Sequence, residues 1–167
     1  FRGERDDIFP ERTGLRPPGS DWVVAAQASH AGVNLFARSR LDNDTFAVRR
    51  LEVGADVSNR FGYGSVRYLR DNLDISGVKQ ENLDARGQLN LTANWGVSFY
   101  GARDLRLDVW RRRDFGIVYM DDCARIEVVY QHEDQFVNTP SGRSLRANES
   151  VVFRLTLATL GGSSYGQ

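Results

Sequence analysis

A strict alternation of apolar and polar residues is the feature that most constrains this fold. The odd positions of one stretch are apolar or small: Leu83, Ala85, Gly87, Leu89 and Leu91. The even positions between them are polar: Asp84, Arg86, Gln88 and Asn90. A period of two residues indicates a β-strand with one apolar and one polar face, whereas a helix repeats about every 3.6 residues. Related alternation occurs at 33–41 and 50–57, and no stretch has a convincing helical period.

The alternation and its interruptions predict nine strands. We place them near 22–30, 33–41, 48–57, 62–71, 82–91, 95–104, 112–120, 123–132 and 150–160. Each holds about 9 to 11 residues, which is close to the length of a tilted strand that crosses a bilayer. The predicted fold class is therefore all-β, an antiparallel up-and-down meander of about nine long strands.

The predicted connections alternate between short and long. The short ones lie around 31–32, 58–61, 92–94 and 121–122, and the longer ones around 42–47, 72–81, 105–111 and 133–149. Outer-membrane barrels have short periplasmic turns and longer external loops, whereas a soluble sandwich or lipocalin does not need this asymmetry. The charged side chains of the polar face also fit a wet lumen better than a dry core. We therefore predict a membrane barrel, with a soluble barrel as the alternative.

The odd number of strands predicts that the barrel extends beyond this chain. If the short turns are periplasmic, residues 1–21 are the end of an extracellular loop and residues 161–167 are a periplasmic C-terminal tail. Bacterial barrels have an even number of strands. We therefore expect the barrel segment, residues 22–160, to be the C-terminal part of a larger transmembrane β-barrel.

Composition and motif searches give little support to other kinds of function. The 22 basic and 22 acidic residues balance, so no net charge favours a nucleic-acid partner, and we predict none. His30 and His132 are candidates for the base of a hydrolytic triad with a Ser and an Asp. The sequence has no strand-turn-helix nucleophile elbow for the serine, and it does not place these residues together. The stretch "QHED" at 131–134 offers metal ligands, but one local polar cluster is more typical of a solvated loop. We predict no catalytic residue, no metal site and no cofactor.

Five motifs, taken in order, resemble the C-terminal barrel region of the LptD family of lipopolysaccharide-assembly outer-membrane proteins, also called organic solvent tolerance proteins. The motifs are "DDIFPERTGL" leading into "SDW", "VRRLEVGADV", "TANW", "YMDDCARIEVVYQ" and "FRLTLATLGG". The resemblance spans nearly the whole chain. It covers only about the last third of a barrel that in this family has about 26 strands.

The resemblance implies a non-enzymatic translocon in the outer membrane of a Gram-negative bacterium. It would assemble lipopolysaccharide in the outer leaflet by lateral release from the barrel. The implied partners are lipopolysaccharide, the plug lipoprotein LptE in the lumen, and the periplasmic bridge protein LptA, which would bind a domain outside this chain. The alternatives are another passive outer-membrane barrel, such as a porin or receptor, and an outer-membrane enzyme or a soluble ligand-binding barrel.

Cys123 is the single cysteine, so no disulfide can form within the chain. It follows the shortest predicted turn, on the expected periplasmic side, in an oxidising compartment. The resemblance implies an interdomain disulfide between Cys123 and a cysteine near the N-terminus of the full-length protein. The alternative is a small packing residue or a free thiol.

The last predicted strand has an unbroken apolar face formed by Val151, Phe153, Leu155 and Leu157. Arg154 and Thr156 point to the other face. The resemblance implies that this strand pairs with the first strand of the barrel at a lateral gate for lipid. The alternative is an ordinary closed seam.

The stretch "WRRRDF", from Trp110 to Phe115, could contact lipid phosphate. A guanidinium pairs with phosphate through two hydrogen bonds, and the lipid substrate of the resembled family carries phosphates. The alternatives are a solvated loop and interfacial anchoring by Trp110.

Overall fold

A computed structural model describes residues 20–72, 78–139 and 142–157. Within these residues the chain forms one antiparallel sheet, in which each strand pairs with the next along the sequence. The nine strands are β1 (Trp22–His30), β2 (Val33–Leu41), β3 (Val48–Asn59), β4 (Gly62–Asp71), β5 (Gln80–Asn90), β6 (Trp95–Asp104), β7 (Val109–Met120), β8 (Ala124–Thr139) and β9 (Gly142–Leu157). The predicted all-β up-and-down meander is confirmed. No helix in the described part of the chain is long and apolar enough to span a membrane.

Two of the predicted long connections are wrong. β7 begins at Val109, so the connection before it covers only 105–108. β8 and β9 have 16 residues each and occupy most of the stretch 133–149 that we predicted to be a loop. The extended pairing includes His132 with Glu149 and Gln135 with Arg146. Because most residues on both faces of this part of the hairpin are polar, it lacks the alternation that reveals a strand.

The correction also changes the pattern of connection lengths. Short and long connections alternate at 31–32, 42–47, 60–61 and 72–79, but 91–94 and 105–108 have equal length. The strict alternation predicted from sequence therefore holds only in the first half of the sheet. At the β8–β9 end, paired strands take the place of a long loop.

The two faces of the sheet differ in polarity and crowding. We call the face that carries Arg86, Asp114 and Glu127 the inner face, and the face that carries Leu89 and Phe115 the outer face. Among the described residues, the buried ones with a side chain all lie on the inner face: Ser65, Asp71, Asn82, Gln88, Ala102, Asp114, Val118 and Val129. The outer face leaves large apolar side chains exposed, and Phe115 retains 64% of its accessible surface. Side chains on the inner face are therefore more closely packed than those on the outer face.

Candidate functional site

The inner face carries a network of arginines and carboxylates across β5 to β9. The antiparallel register places Tyr100 opposite Asp114, and Asp114 opposite Gln131. On the next pairing, Glu127 lies opposite Arg154. Side chains at paired positions point to the same face of a sheet, so these polar groups converge on one surface.

Arg112 and Asp114 form the centre of this network. The Arg112 guanidinium donates to both carboxylate oxygens of Asp114, with Nε at 2.9 and 3.0 Å and Nη2 at 2.8 Å. Arg112 Nη1 also lies 3.3 Å from Glu133, and its guanidinium carbon lies 5.5 Å from the Tyr100 ring centroid. Asp114 is buried, and a forked arginine contact of this kind satisfies a buried carboxylate.

A second carboxylate, Glu127, lies beside the last strand. The Ser98 hydroxyl donates to its Oε1 at 2.8 Å, and Arg154 Nη1 lies 3.4 Å from its Oε2. With Arg86 and Tyr63, these groups line an inner-face cavity of about 310 Å³. Arg86 is exposed. The cavity therefore presents charges of both signs, which suits water and polar ligands and not a lipid acyl chain.

A further cluster of hydrogen bonds on the inner face stabilises the end of the sheet that carries Cys123. Gln88 is buried, accepts a hydrogen bond from Arg125 at 2.7 Å and donates one to Asn90 at 2.9 Å. The Asn94 side chain donates to the backbone carbonyl of Met120 at 2.9 Å. These contacts connect β5 and the β5–β6 turn to β7 and β8, so this end of the sheet is cross-linked by hydrogen bonds.

Cys123 is an exposed free thiol in the turn between β7 and β8. The turn is ordered by Asp121, whose Oδ1 accepts the backbone N–H groups of Cys123 at 2.9 Å and Ala124 at 2.7 Å. These two donors, that of Cys123 first, lower the pKa of Asp121 because they stabilise its charged form. Ala124 pairs with Leu157, so the thiol lies at the same end of the sheet as the described end of β9.

The predicted gate residues lie on one edge of the described sheet. β9 pairs with β8 along its length, and no described strand pairs with its other edge. Val151, Phe153, Leu155 and Leu157 are on the outer face and are 48 to 70% exposed. Arg154 and Thr156 are on the inner face, as the alternation predicted. Residues 158–160 of the predicted strand lie outside the described residues.

The two histidines are not brought together. His30 ends β1, whereas His132 lies in β8. His132 Nδ1 is 3.2 Å from Glu149 Oε1, and its Nε2 is 3.1 Å from Asp134 Oδ1. Throughout the described ranges, no group of three or more His, Cys, Asp or Glu side chains is arranged to hold a metal ion.

The inner-face network was not identified from the sequence. A partial signal exists, because Arg112 and Asp114 are two residues apart and must share one face of a strand. The contact from Ser98 to Glu127 has no such signal, since the two residues lie on strands separated by β7. Finding it requires the register of two strand pairings.

The sequence matches the LptD family, described as LPS transport system D, over residues 1–97. The match begins ahead of β1 and ends within β6, so Cys123 and β9 lie beyond it. No curated protein sequence is similar enough to this chain to match it. The family match covers more than half of the 167 residues and agrees with the all-β meander. The chain therefore belongs to the LptD family, a family of outer-membrane proteins that transports and assembles lipopolysaccharide.

Proposed function

We propose that this chain is the C-terminal part of a larger transmembrane β-barrel that releases lipopolysaccharide sideways into the outer leaflet. The observation that carries the proposal is the edge strand β9, which has no described neighbour beyond β8 and exposes four apolar side chains on its outer face. Unpaired backbone groups are costly in a bilayer, so β9 needs a partner strand. In a closed barrel that partner is the first strand of the full-length protein.

The two faces of the sheet support a barrel wall between lipid and a wet lumen. Outer-face residues such as Leu89, Phe115 and Phe153 are exposed and apolar, as lipid contact requires. The inner face presents Arg86, Arg112 and their carboxylate partners to the lumen. A lumen of this polarity fits a plug of polar surface, and we propose that the lipoprotein LptE occupies it.

The proposed orientation places the β8–β9 turn outside the cell and Cys123 in the periplasm. The support is that β8 and β9 are 16 residues long, which exceeds the length of about 9 to 11 residues that spans a bilayer. A hairpin of this length must project on the side of its turn. Residues 1–21 then belong to an external loop, residues 22–160 to the barrel wall and residues 161–167 to the periplasmic side.

Two proposals depend on parts of the protein that precede this chain. We propose that Cys123 pairs with a cysteine of a periplasmic domain, which would fix that domain relative to the barrel, and the exposure of its thiol supports this. The same domain would receive lipopolysaccharide from LptA. The chain would contribute the barrel wall to this path and would perform no chemical step.

The test of lateral release is a crosslink at the seam in the full-length protein. Cysteines at Thr156 and at the facing position of the first barrel strand should form a disulfide and reduce surface delivery of new lipopolysaccharide. Delivery is measured on intact cells with an impermeant label, before and after reductant. Normal delivery through a fully crosslinked seam would contradict lateral release at β9.

A control pair distinguishes gating from general rigidity. Val97 and Ile117 face each other on β6 and β7, away from the seam. Cysteines at these two positions join strands that stay paired in either state of a gate. Their disulfide should therefore leave surface delivery of lipopolysaccharide unchanged. Reductant should raise delivery only in the protein that carries the seam pair.

A further inference from the structure

The outer face changes from apolar to basic at one level of β6 and β7. On β6 the outer residues run from Trp95 through Phe99 to Gly101, and the next outer residue is Arg103. On β7 they run from Tyr119 through Ile117 to Phe115, and Arg113 follows. The register pairs Arg103 with Trp110, and it pairs Arg113 with Gly101, the residue on which the Trp110 ring packs.

Trp110 and Arg103 form an ordered pair on this surface. The Arg103 guanidinium carbon lies 5.4 Å from the Trp110 ring centroid, within cation–π distance. The ring packs on Gly101, where an added β-carbon would lie only 3.1 Å from it. Glycine at this position therefore leaves room for the indole to pack against the sheet, with the Arg103 guanidinium within cation–π distance of the ring.

Both arginines retain hydrogen-bonding capacity. The side chains of Arg103 and Arg113 are 35% and 42% exposed, so part of each guanidinium is accessible on the outer face. Arg103 contacts Asp108 through Nη2, and Arg113 Nη2 lies 3.7 Å from Asp134. Each guanidinium has five N–H donors, so one acidic neighbour leaves donors for a further acceptor.

The depth of the pair matches the head-group layer of a bilayer. Outer-face neighbours toward the periplasmic end, including Phe99, Phe115 and Ile117, are apolar and at least 40% exposed. The arginines follow directly beyond them, at the end proposed to face the outside. Charged groups are placed at such a boundary because the hydrocarbon layer excludes them.

We propose that Arg103 and Arg113, with Trp110 beside them, bind a phosphate of a lipopolysaccharide molecule that already resides in the outer leaflet. This lipid would lie outside the barrel, beside β6 and β7, and not in the release path at β9. The proposal rests on the proposed function for the orientation of the barrel. Its chemical basis is that a lipid phosphate is the anion at this depth and accepts forked hydrogen bonds from guanidinium groups.

The test uses the full-length protein in phosphatidylcholine nanodiscs that contain a small fraction of the bisphosphorylated lipid anchor of lipopolysaccharide. A photoreactive benzoyl group at Phe115 reports lipid at this outer-face position. Exchange of both Arg103 and Arg113 for Gln should lower the yield of lipid adduct by about tenfold, since two charge-assisted contacts are lost. Arg38→Gln, which changes an exposed arginine on the inner face, should leave the yield unchanged.

Further arms of the experiment separate the possible ligands. The dephosphorylated anchor should give a low yield with both the unaltered protein and the double variant, and EDTA should leave the phosphate-dependent adduct intact. Equal yields with and without lipid phosphate, or an unaltered yield in the double variant, would overturn the proposal. Loss of the adduct in EDTA, or complete displacement by millimolar inorganic phosphate, would also overturn it. The readout requires no transport, so it is independent of the outcome at the β9 seam.

Discussion

Ser98 on β6 contacts Glu127 on β8 across the intervening strand β7, with its hydroxyl 2.8 Å from Glu127 Oε1. The contact passes over Gly116, the residue that pairs with Ser98 on β7. A β-carbon at Gly116 would lie 2.4 Å from the Ser98 hydroxyl oxygen and 3.0 Å from a Val129 methyl group. The absence of a side chain at Gly116 therefore leaves room for a hydrogen bond that joins β6 to β8 across β7.

This relationship predicts a specific coupling between two substitutions. Gly116→Ala should lower the free energy of unfolding by about 1 to 3 kcal/mol, because it displaces the Ser98 hydroxyl and crowds Val129. Ser98→Ala should cost about 1 kcal/mol on its own, since Glu127 retains its contact with Arg154. The measurement is denaturant unfolding of the full-length barrel in lipid vesicles.

The double variant of Ser98 and Gly116 is the control for this coupling. If the hydroxyl is the main obstacle to the alanine methyl group, the double variant should be more stable than the sum of the single changes indicates. Strict additivity of the two costs would show that Ser98 and Gly116 do not interact in the way described.

The fold was largely predictable where the two faces of a strand differ in polarity. The bounds of β2 (Val33–Leu41) were predicted as observed, because its apolar residues alternate with mostly polar ones and connections follow on both sides. The prediction failed where most residues on both faces are polar, in the extended part of the β8–β9 hairpin. Gln135 and Arg146 pair as strand residues beyond the apolar band, and nothing in their local sequence distinguishes that pairing from a solvated loop.

The candidate site was less predictable because it depends on contacts between strands. The face of Arg112 and Asp114 follows from their spacing, but the contact of Arg112 with Glu133 requires the register of β7 with β8. The structure places Cys123 at an exposed position in a turn, as expected, and its pairing with a distant cysteine stays a prediction.

The assignment of faces predicts an unequal response to charge within β4. Val66 is on the outer face and 48% exposed, whereas Leu69 is on the inner face. Val66→Arg should cost about 2 to 4 kcal/mol of unfolding free energy, because it places a charge in the middle of the hydrocarbon layer. In Leu69→Arg the new charge lies opposite Glu52, on the face proposed to line a wet lumen. This substitution should therefore lower the free energy of unfolding much less. Equal losses in vesicle unfolding experiments would mean that the faces are reversed or that both meet the same medium.

The β2–β3 connection contains an aspartate with a lowered pKa. The pKa of Asp42 lies at about 2, below its ordinary value of 3.8, chiefly because the Thr45 backbone N–H and then the Thr45 hydroxyl donate to its carboxylate. Because the folded-state pKa is depressed, the contribution of Asp42 to loop stability is present above about pH 4. It is lost as the pH falls through about 2.

Thr45→Ala removes the hydroxyl donor, so the pKa of Asp42 should rise toward its ordinary value while the backbone donors keep part of the shift. A titration of the Asp42 carboxyl carbon by nuclear magnetic resonance measures both midpoints. If the Asp42 carboxyl group of the unaltered protein titrated with a midpoint near pH 4, the loop hydrogen bonds would not persist in solution.

The exposed thiol predicts a redox-dependent mobility of the full-length protein. If Cys123 forms a disulfide with a distant domain, non-reducing electrophoresis should show a band whose mobility changes with reductant. The change should be absent in Cys123→Ser. Asp121→Ala loosens the turn but keeps the thiol, so it should retain the change. The same mobility with and without reductant would leave Cys123 as a free surface thiol.

The proposed orientation predicts which ends of the strands face the cell exterior. In a Cys123→Ser background, single cysteines at Asp44 and Leu107, in the connections 42–47 and 105–108, should react with an impermeant maleimide on intact cells. A cysteine at Ala93, in the connection 91–94 at the opposite end of the sheet, should react only after the outer membrane is opened. All three positions are exposed, so access to the protein surface does not distinguish them. Labelling at Ala93 alone on intact cells would reverse the orientation, and the phosphate site at Arg103 and Arg113 would then face the periplasm and have to be abandoned.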